Sequence, residues 1–351
     1  MRTDHGGSLA QYKQKFGGEW LDFSANISPL GVPARVLHEA QKAIEKADQY
    51  PDAECYALRK AIAADTGIPA EQIVCGNGAA DLIYRIPRIF RGKKALLPVP
   101  AFSEYEAALT EADCKAELFF LKEELGFCLP WDFPVYLRQD LDLLILCQPN
   151  NPTGIPIEPA LLKKLLLCCQ EKDITLVVDE CFLDFLEEPK RYSLQEELKK
   201  TEKLILLRAF TKSYGMAGLR LGYALCSNPG MSERLQQCAP PWAVSNVAQA
   251  AGIAALSEKE YLSSLRKLVA KERERLIPEL KKLGFKVIPG KANFLLFYSP
   301  DAFLGEKLEQ KKILIRDCSS FPGLQEGWFR TAIRKKEENE LLLQAMREAM
   351  R

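Results

Sequence analysis

Histidine is the scarcest chemistry-bearing residue in this chain: His5 and His38 are the two among 351 residues. With so few imidazoles and no clustered ligand residues, a metal-dependent enzyme is not expected and no metal site is assigned. Cysteine is plentiful at eleven, but no C-x-x-C pair occurs, and the adjacent Cys168 and Cys169 suit neither a common zinc spacing nor an easy local disulfide. Several cysteines, Cys147 and Cys226 among them, end apolar runs and read as reduced, buried thiols. An excess of one charge is also lacking. The 48 basic and 47 acidic residues leave a net +1, which argues against a dominant role on nucleic acid or an anionic membrane and still allows a local basic pocket. No uninterrupted apolar stretch reaches the ~20 residues a membrane helix needs. The run Met1-Arg2-Thr3-Asp4-His5 has no apolar signal-peptide core, so a cytoplasmic location is expected. There is no internal repeat and no low-complexity linker.

What is present is the composition of an ordinary soluble enzyme, 47% hydrophobic and 27% charged, on a chain long enough for one substantial core or two. Residues 1–30 have weak periodicity and read as an N-terminal arm. From Pro33 onward helical patterns appear, and then strand and helix signals alternate. The strands are expected at Ile73–Cys75, Lys94–Leu97, Glu117–Leu121, Leu143–Cys147, Ile174–Asp179, Leu204–Leu207 and Leu221–Cys226. These strands are apolar throughout rather than alternating, as buried parallel strands are, so an α/β fold with a mostly parallel seven-stranded sheet is predicted for residues 31–240. Pro240-Pro241 marks a composition break. Beyond it a long amphipathic helical stretch from about Asn246 to Arg275, interrupted near Ser257, precedes short strand signals and a closing helix at Lys336–Met350. Residues 241–351 therefore read as a smaller α+β domain.

Four segments carry chemistry. Lys212, in Arg208-Ala209-Phe210-Thr211-Lys212-Ser213-Tyr214-Gly215, follows a buried strand, lies between hydroxyl residues, and has Arg220 eight positions later. A lysine there can form an imine with an aldehyde cofactor. The strand Val177-Val178-Asp179-Glu180 ends in carboxylates, and a lysine paired with an aspartate for a pyridinium nitrogen is the signature of pyridoxal phosphate. A lone lysine after a strand is usually a solvated loop residue, and an aspartate ending a strand is often a helix cap. The case rests on the combination. In Gln148-Pro149-Asn150-Asn151-Pro152-Thr153-Gly154, two prolines and a glycine fix a rigid turn at a strand's carboxyl end, where open α/β sheets bind ligands. That turn would hold an asparagine amide towards a phenolate oxygen. Cys75-Gly76-Asn77-Gly78-Ala79-Ala80-Asp81 joins a strand to a helix through small residues that leave backbone N–H groups free for a phosphate. It is not G-x-G-x-x-G, because Asp81 stands at the third glycine position.

In this order the four segments resemble the histidinol-phosphate aminotransferase-like group of fold-type I pyridoxal phosphate (PLP) enzymes, nearly end to end. Four stretches resemble, within that group, the L-threonine-O-3-phosphate decarboxylases of cobalamin synthesis. These are His5-Gly6-Gly7, Leu21-Asp22-Phe23-Ser24-Ala25-Asn26-Ile27-Ser28-Pro29-Leu30-Gly31, Asp179-Glu180-Cys181-Phe182-Leu183-Asp184-Phe185, and Ile315-Arg316-Asp317-Cys318-Ser319-Ser320-Phe321-Pro322-Gly323-Leu324. The resemblance implies the fold-type I transferase fold and PLP as cofactor. It implies that Lys212 holds the cofactor and shuttles protons, that Asp179 pairs with the ring nitrogen, and that Asn151 bonds the phenolic oxygen. Phe102 would stack on the ring. Gly78, Ala79, Ala80, Thr211 and Arg220 would hold the phosphate, joined in a homodimer by Tyr50 reaching the neighbouring subunit's site. Arg330 would clamp the substrate's α-carboxylate, Arg316 would meet a substrate phosphate, and His5 and Asn26 would close the pocket from the arm.

Many relatives place a tyrosine three residues after the aspartate, where this chain has Phe182. That departure leans away from an ordinary aminotransferase, although a plain core phenylalanine would look the same. With PLP, the bond cleaved is the one held perpendicular to the ring. The choice between losing carbon dioxide and losing the α-hydrogen is therefore one of substrate orientation. The resemblance makes decarboxylation of O-phospho-L-threonine the expected reaction; O-phospho-L-serine, one methyl smaller, is a further expected substrate, because a single methyl discriminates by only ~1–3 kcal/mol. Histidinol-phosphate transamination is the alternative, and a non-catalytic PLP-binding regulator is a distant third. Such regulators often carry an added basic DNA-binding module, which this chain lacks.

Overall fold

The computed structural model describes residues 6–350. Seven strands form the main sheet: β1 (Ile73–Gly76), β2 (Lys94–Val99), β3 (Lys115–Phe120), β4 (Leu143–Cys147), β5 (Thr175–Asp179), β6 (Leu204–Ala209) and β7 (Gly222–Cys226). Their spatial order is β1-β7-β6-β5-β4-β2-β3. The pairs among β2 to β6 are parallel, whereas β7 runs antiparallel to both its neighbours. Strands β1, β4, β5 and β7 are buried at every position, which is why they read as continuous apolar runs. One hydrophobic cluster covers one face of the sheet and continues into the C-terminal elements; a second fills the other face.

This topology positions the functional loops. Parallel strands end at a common sheet edge, so the segments after Val99, Cys147, Asp179 and Ala209 all emerge together. The antiparallel β7 brings Gly222 to that edge too, paired with both Gly76 and Ala209. Cys147 is in register with Asp179, which sets the Gln148–Gly154 turn beside the aspartate.

The expected break near Ser257 separates two helices, Asn246–Leu256 and Lys259–Lys282. A four-stranded antiparallel sheet follows, ordered Arg316–Asp317, Trp328–Ala332, Phe294–Tyr298, Lys286–Val287, with the helix Lys336–Ala349 closing the chain. Two short strands, rather than one, lie between residues 313 and 317. Ile313–Leu314 pairs in parallel with Leu21–Asp22, and Arg316–Asp317 joins the antiparallel sheet. The segment before residue 31 is therefore more than an extended arm. It contains the helix Leu9–Phe16, tied to the C-terminal part by the Tyr12 hydroxyl donating to Glu309 Oε1 at 2.7 Å. Among the described residues, no helix is long and apolar enough to cross a membrane.

Candidate active site

Most of the assigned residues line one cavity of about 530 Å³ at the carboxyl edge of the main sheet. Lys212 stands in the short helix Phe210–Ser213 that directly follows β6. Its Nζ lies 5.7 Å from the centre of the Phe182 ring, which packs edge-on against Phe294. Burial, reinforced by the nearby Arg330 guanidinium, brings the Lys212 ammonium down from the usual lysine range to about 8. The amine is thus deprotonated, and nucleophilic, at a far milder pH than an exposed lysine.

The two carboxylates ending β5 have opposite roles because successive side chains point to opposite faces. Asp179 faces the cavity. Its Oδ2 accepts the Tyr105 O–H at 2.6 Å and its Oδ1 accepts the Cys181 N–H at 2.9 Å. Glu180 points the other way and is consumed by structure: Arg208 donates to it at 2.7 and 3.0 Å, with further bonds from the Ser193 hydroxyl and the Leu194 N–H.

The turn after β4 has a division of labour that composition does not show. Gln148 Nε2 donates to Ile157 O and Tyr192 O, and Asn150 Nδ2 to Pro100 O, so both amides brace the turn. Asn151 alone of the three lines the cavity, where its Oδ1 accepts from Arg330 Nη1 and its Nδ2 remains as the donor.

The small-residue loop ends at the helix Gly78–Arg88, whose first N–H groups have no partner within the helix. Asp81 accepts the Asn77 N–H at 2.8 Å and a 2.7 Å bond from Arg85 Nε, so the residue at the third glycine position is the clasp of the loop. Gly78 has φ +79°, and a Cβ there would lie 2.6 Å from Arg220 Nη2. Across the strand, a Cβ on Gly222 would lie 2.5 Å from the Ala79 nitrogen. These two glycines hold the helix start, Arg220 and β7 together, with Ala79, Ala80, Thr211 and Arg220 around one corner of the cavity. Phe102 enters at the side, its ring edge-on to Tyr105 at 5.7 Å.

The opposite wall comes from the C-terminal sheet. Arg330 is buried, which lowers its guanidinium to about 10; its Nη2 donates to Ser24 O at 3.1 Å. Its Nε is buried with no acceptor among the described residues, and so is the Asn26 Oδ1 with no donor. Arg316 donates to Ser320 Oγ at 3.3 Å and lies 5.5 Å over the Phe321 ring. Buried polar atoms left unpaired are expected to find partners. An orphaned donor and an orphaned acceptor in one cavity are what a polar ligand would satisfy. Together with the glycine-lined helix start and the Asp179 carboxylate, they fit a phosphate-bearing aromatic aldehyde and an anionic amino-acid substrate.

Two assigned residues stand apart. His5 lies outside the described residues. Tyr50 is 79% exposed, stacks on Trp242 at 4.5 Å, and is not among the cavity's lining residues. The residues that sequence reasoning missed are Tyr105, Cys181, Cys147, Ser24 and Phe321, all of which line the cavity. Tyr105 had one usable signal, its place three residues after Phe102 at a helix start, where both side chains share a face.

The family described as Aminotransferase class I and II matches residues 18–346. A threonine-phosphate decarboxylase of Salmonella typhimurium is 35% identical, over 100% of this chain and 97% of that protein. An adenosylcobalamin biosynthesis bifunctional protein of Leptospira interrogans is 34% identical over 97% of this chain, which corresponds to 40% of that longer protein. Among solved structures, the histidinol-phosphate aminotransferase from Clostridium acetobutylicum superposes with a TM-score of 0.88 at 31% identity, covering 94% of this chain and 99% of that one.

Proposed function

Because this chain belongs to the class I and II aminotransferase family, we propose that it is a PLP-dependent carboxy-lyase acting on O-phospho-L-threonine. The product would be 1-amino-2-propanol phosphate, for cobalamin synthesis; O-phospho-L-serine, giving ethanolamine phosphate, is the neighbouring substrate. The observation that carries the reading is the end-to-end similarity to a threonine-phosphate decarboxylase, together with two buried arginines, Arg316 and Arg330, facing one lysine-bearing cavity.

PLP, when bound, supplies an electron sink for the pair released at the substrate's α-carbon. The remaining work falls to the chain. Lys212 would hold the aldehyde carbon and, once displaced by the substrate amine, return a proton to the α-carbon; its depressed ammonium suits both tasks. Asp179 would face the ring nitrogen, Asn151 Nδ2 the phenolic oxygen, and Phe102 the ring plane. The N–H groups at Gly78, Ala79 and Ala80, with Thr211 and Arg220, would take the cofactor phosphate. Arg330 would bind the α-carboxylate through its unpaired Nε, and Arg316 the substrate phosphate. Two anchors at opposite ends of the substrate set the rotation about the α-carbon, and hence which bond stands perpendicular to the ring.

Asn26 and His5 would cover the substrate from the N-terminal segment. Residues 1–30 would form the arm, 31–240 the large domain and 241–351 the small domain, the arm being tied to the small domain by the Leu21–Asp22 and Ile313–Leu314 pairing. The enzyme would be a cytoplasmic homodimer in which the exposed Tyr50 reaches the neighbouring cofactor phosphate.

Carbon dioxide release from O-phospho-L-threonine by PLP-loaded protein tests the reaction. Turnover is expected. Protein that carries the cofactor's visible absorbance, releases no carbon dioxide and transfers the amino group of histidinol phosphate to 2-oxoglutarate would instead be an aminotransferase. That second reading is supported by the 31% identical Clostridium acetobutylicum enzyme.

A further inference from the structure

Tyr105 carries no assigned role, yet it is one of the largest fully buried side chains and sits at the most consequential contact in the cavity. It comes from the first turn of the helix Glu104–Glu111. Its hydroxyl reaches across 74 positions of sequence to Asp179 Oδ2 at 2.6 Å. The other carboxylate oxygen is tied to the Cys181 N–H at 2.9 Å, so each oxygen has one donor and the plane of the carboxylate is fixed. The same tyrosine ring supports Phe102 edge-on at 5.7 Å.

We propose that Tyr105 is a positioning residue for the cofactor: its hydroxyl orients the Asp179 carboxylate towards the ring nitrogen, while its ring backs the stacking face of Phe102. The inference rests on the PLP reading of the site.

The direction of the proton follows from the surroundings. Burial, and then the Asp179 carboxylate itself, hold the phenol well above its ordinary range, so it stays an O–H donor at any working pH. An ionised carboxylate has only acceptors to offer and is matched by two donors; a protonated one would need an acceptor of its own. The cavity side of the carboxylate is left for the ligand. Both bonds that hold Asp179 come from the protein itself.

The test uses the intact protein, two variants of Tyr105, and an Asp179→Asn background. Tyr105→Phe keeps the ring and removes the hydroxyl; Tyr105→Leu removes both. The first readout is the PLP dissociation constant of cofactor-free protein, followed by absorbance. For Tyr105→Phe it is expected to rise about ten- to hundredfold, the range for one hydrogen bond to a charged group. The pH titration of the bound cofactor's visible band should move as well. For Tyr105→Leu the affinity should fall further, because Phe102 loses its support. The third comparison is Tyr105→Phe made in an Asp179→Asn background. If the hydroxyl acts through the aspartate, it should add less than twofold there.

A Tyr105→Phe protein that has wild-type affinity and the wild-type spectral titration would overturn the inference, even if it melted at a lower temperature. So would full additivity with Asp179→Asn. If the unmodified protein bound no PLP, the reading of the site itself would fall, a result distinct from either of these.

Discussion

At the scale of single residues, Lys212 is where the environment matters most. A lysine with a depressed folded-state value is charged below about pH 8 and neutral above it. The rate at which cofactor-free protein captures PLP should therefore rise about tenfold per pH unit below 8 and level off above it. Stopped-flow absorbance would measure this. Arg330→Met removes a neighbouring positive charge and should move the midpoint upward, towards the usual lysine value. Lys212→Ala should abolish both turnover and the visible absorbance, and an active variant would sink the mechanism. The sign for stability follows the same logic. Between about 8 and the usual lysine range the unfolded chain still binds the proton the fold has released, so cofactor-free protein gains stability as pH rises through that window. Asp179→Ala separates activity from folding. The residue's partners are a neutral phenol and a peptide N–H rather than a buried cation. Unfolding should become easier by about 1–3 kcal/mol for each of the two buried donors left unpaired. Turnover should fall by orders of magnitude, as paired denaturation and activity measurements would show.

At the scale of elements, the site depends on how closely one helix start approaches one strand. The Gly78–Arg88 helix meets β7 at Gly222, where an added Cβ would fall 2.5 Å from the Ala79 nitrogen and 2.8 Å from the Gly78 carbonyl carbon. Both are backbone atoms, so no side chain can rotate aside. Gly222→Ala should push the helix start out of place, destabilising the fold by roughly 1–3 kcal/mol as overpacking does. It should also weaken PLP binding at the phosphate end. Unaltered cofactor affinity in this variant would show that the helix start does not hold the phosphate. The motif around Gly78 reads as a strand-to-helix loop in the sequence, and the structure has that loop, but its clasp is not legible there. Asp81 looked like a missing glycine, and its bonds to Asn77 and Arg85 depend on a turn geometry that the letters alone do not specify.

At the scale of the whole molecule, the cavity is assembled from three stretches far apart in the chain. The main sheet contributes Lys212, Asp179 and Asn151, the C-terminal sheet contributes Arg316 and Arg330, and the segment before residue 31 contributes Ser24 and Asn26. The Arg330 side chain joins all three, donating to Asn151 in the turn after β4 and to Ser24 O of the N-terminal segment. The role proposed for Tyr50 would extend this logic beyond one chain. If it completes the neighbouring subunit's phosphate site, Tyr50→Ala should raise the PLP dissociation constant several-fold without altering the sedimentation coefficient of the dimer. A monomeric wild-type protein with full activity would refute that assignment.

The strand order of chemistry along the chain was settled by sequence. Buried parallel strands must be apolar at every position, so their ends, and the lysine, aspartate, asparagine and small-residue loop that follow them, stand out against the runs before them. Those local patterns also carried the family resemblance. What only the tertiary structure decided is which neighbours each of these residues has. Tyr105 and Asp179 are 74 positions apart and meet because β2 and β5 flank β4 in the sheet. Leu21–Asp22 pairs with Ile313–Leu314 for a similar reason, although weak periodicity had marked the early segment as a plain arm. The contacts that complete the cavity, Tyr105 to Asp179 and Arg330 to Asn151 and Ser24, join residues far apart in the chain, and no single stretch of sequence contains both partners.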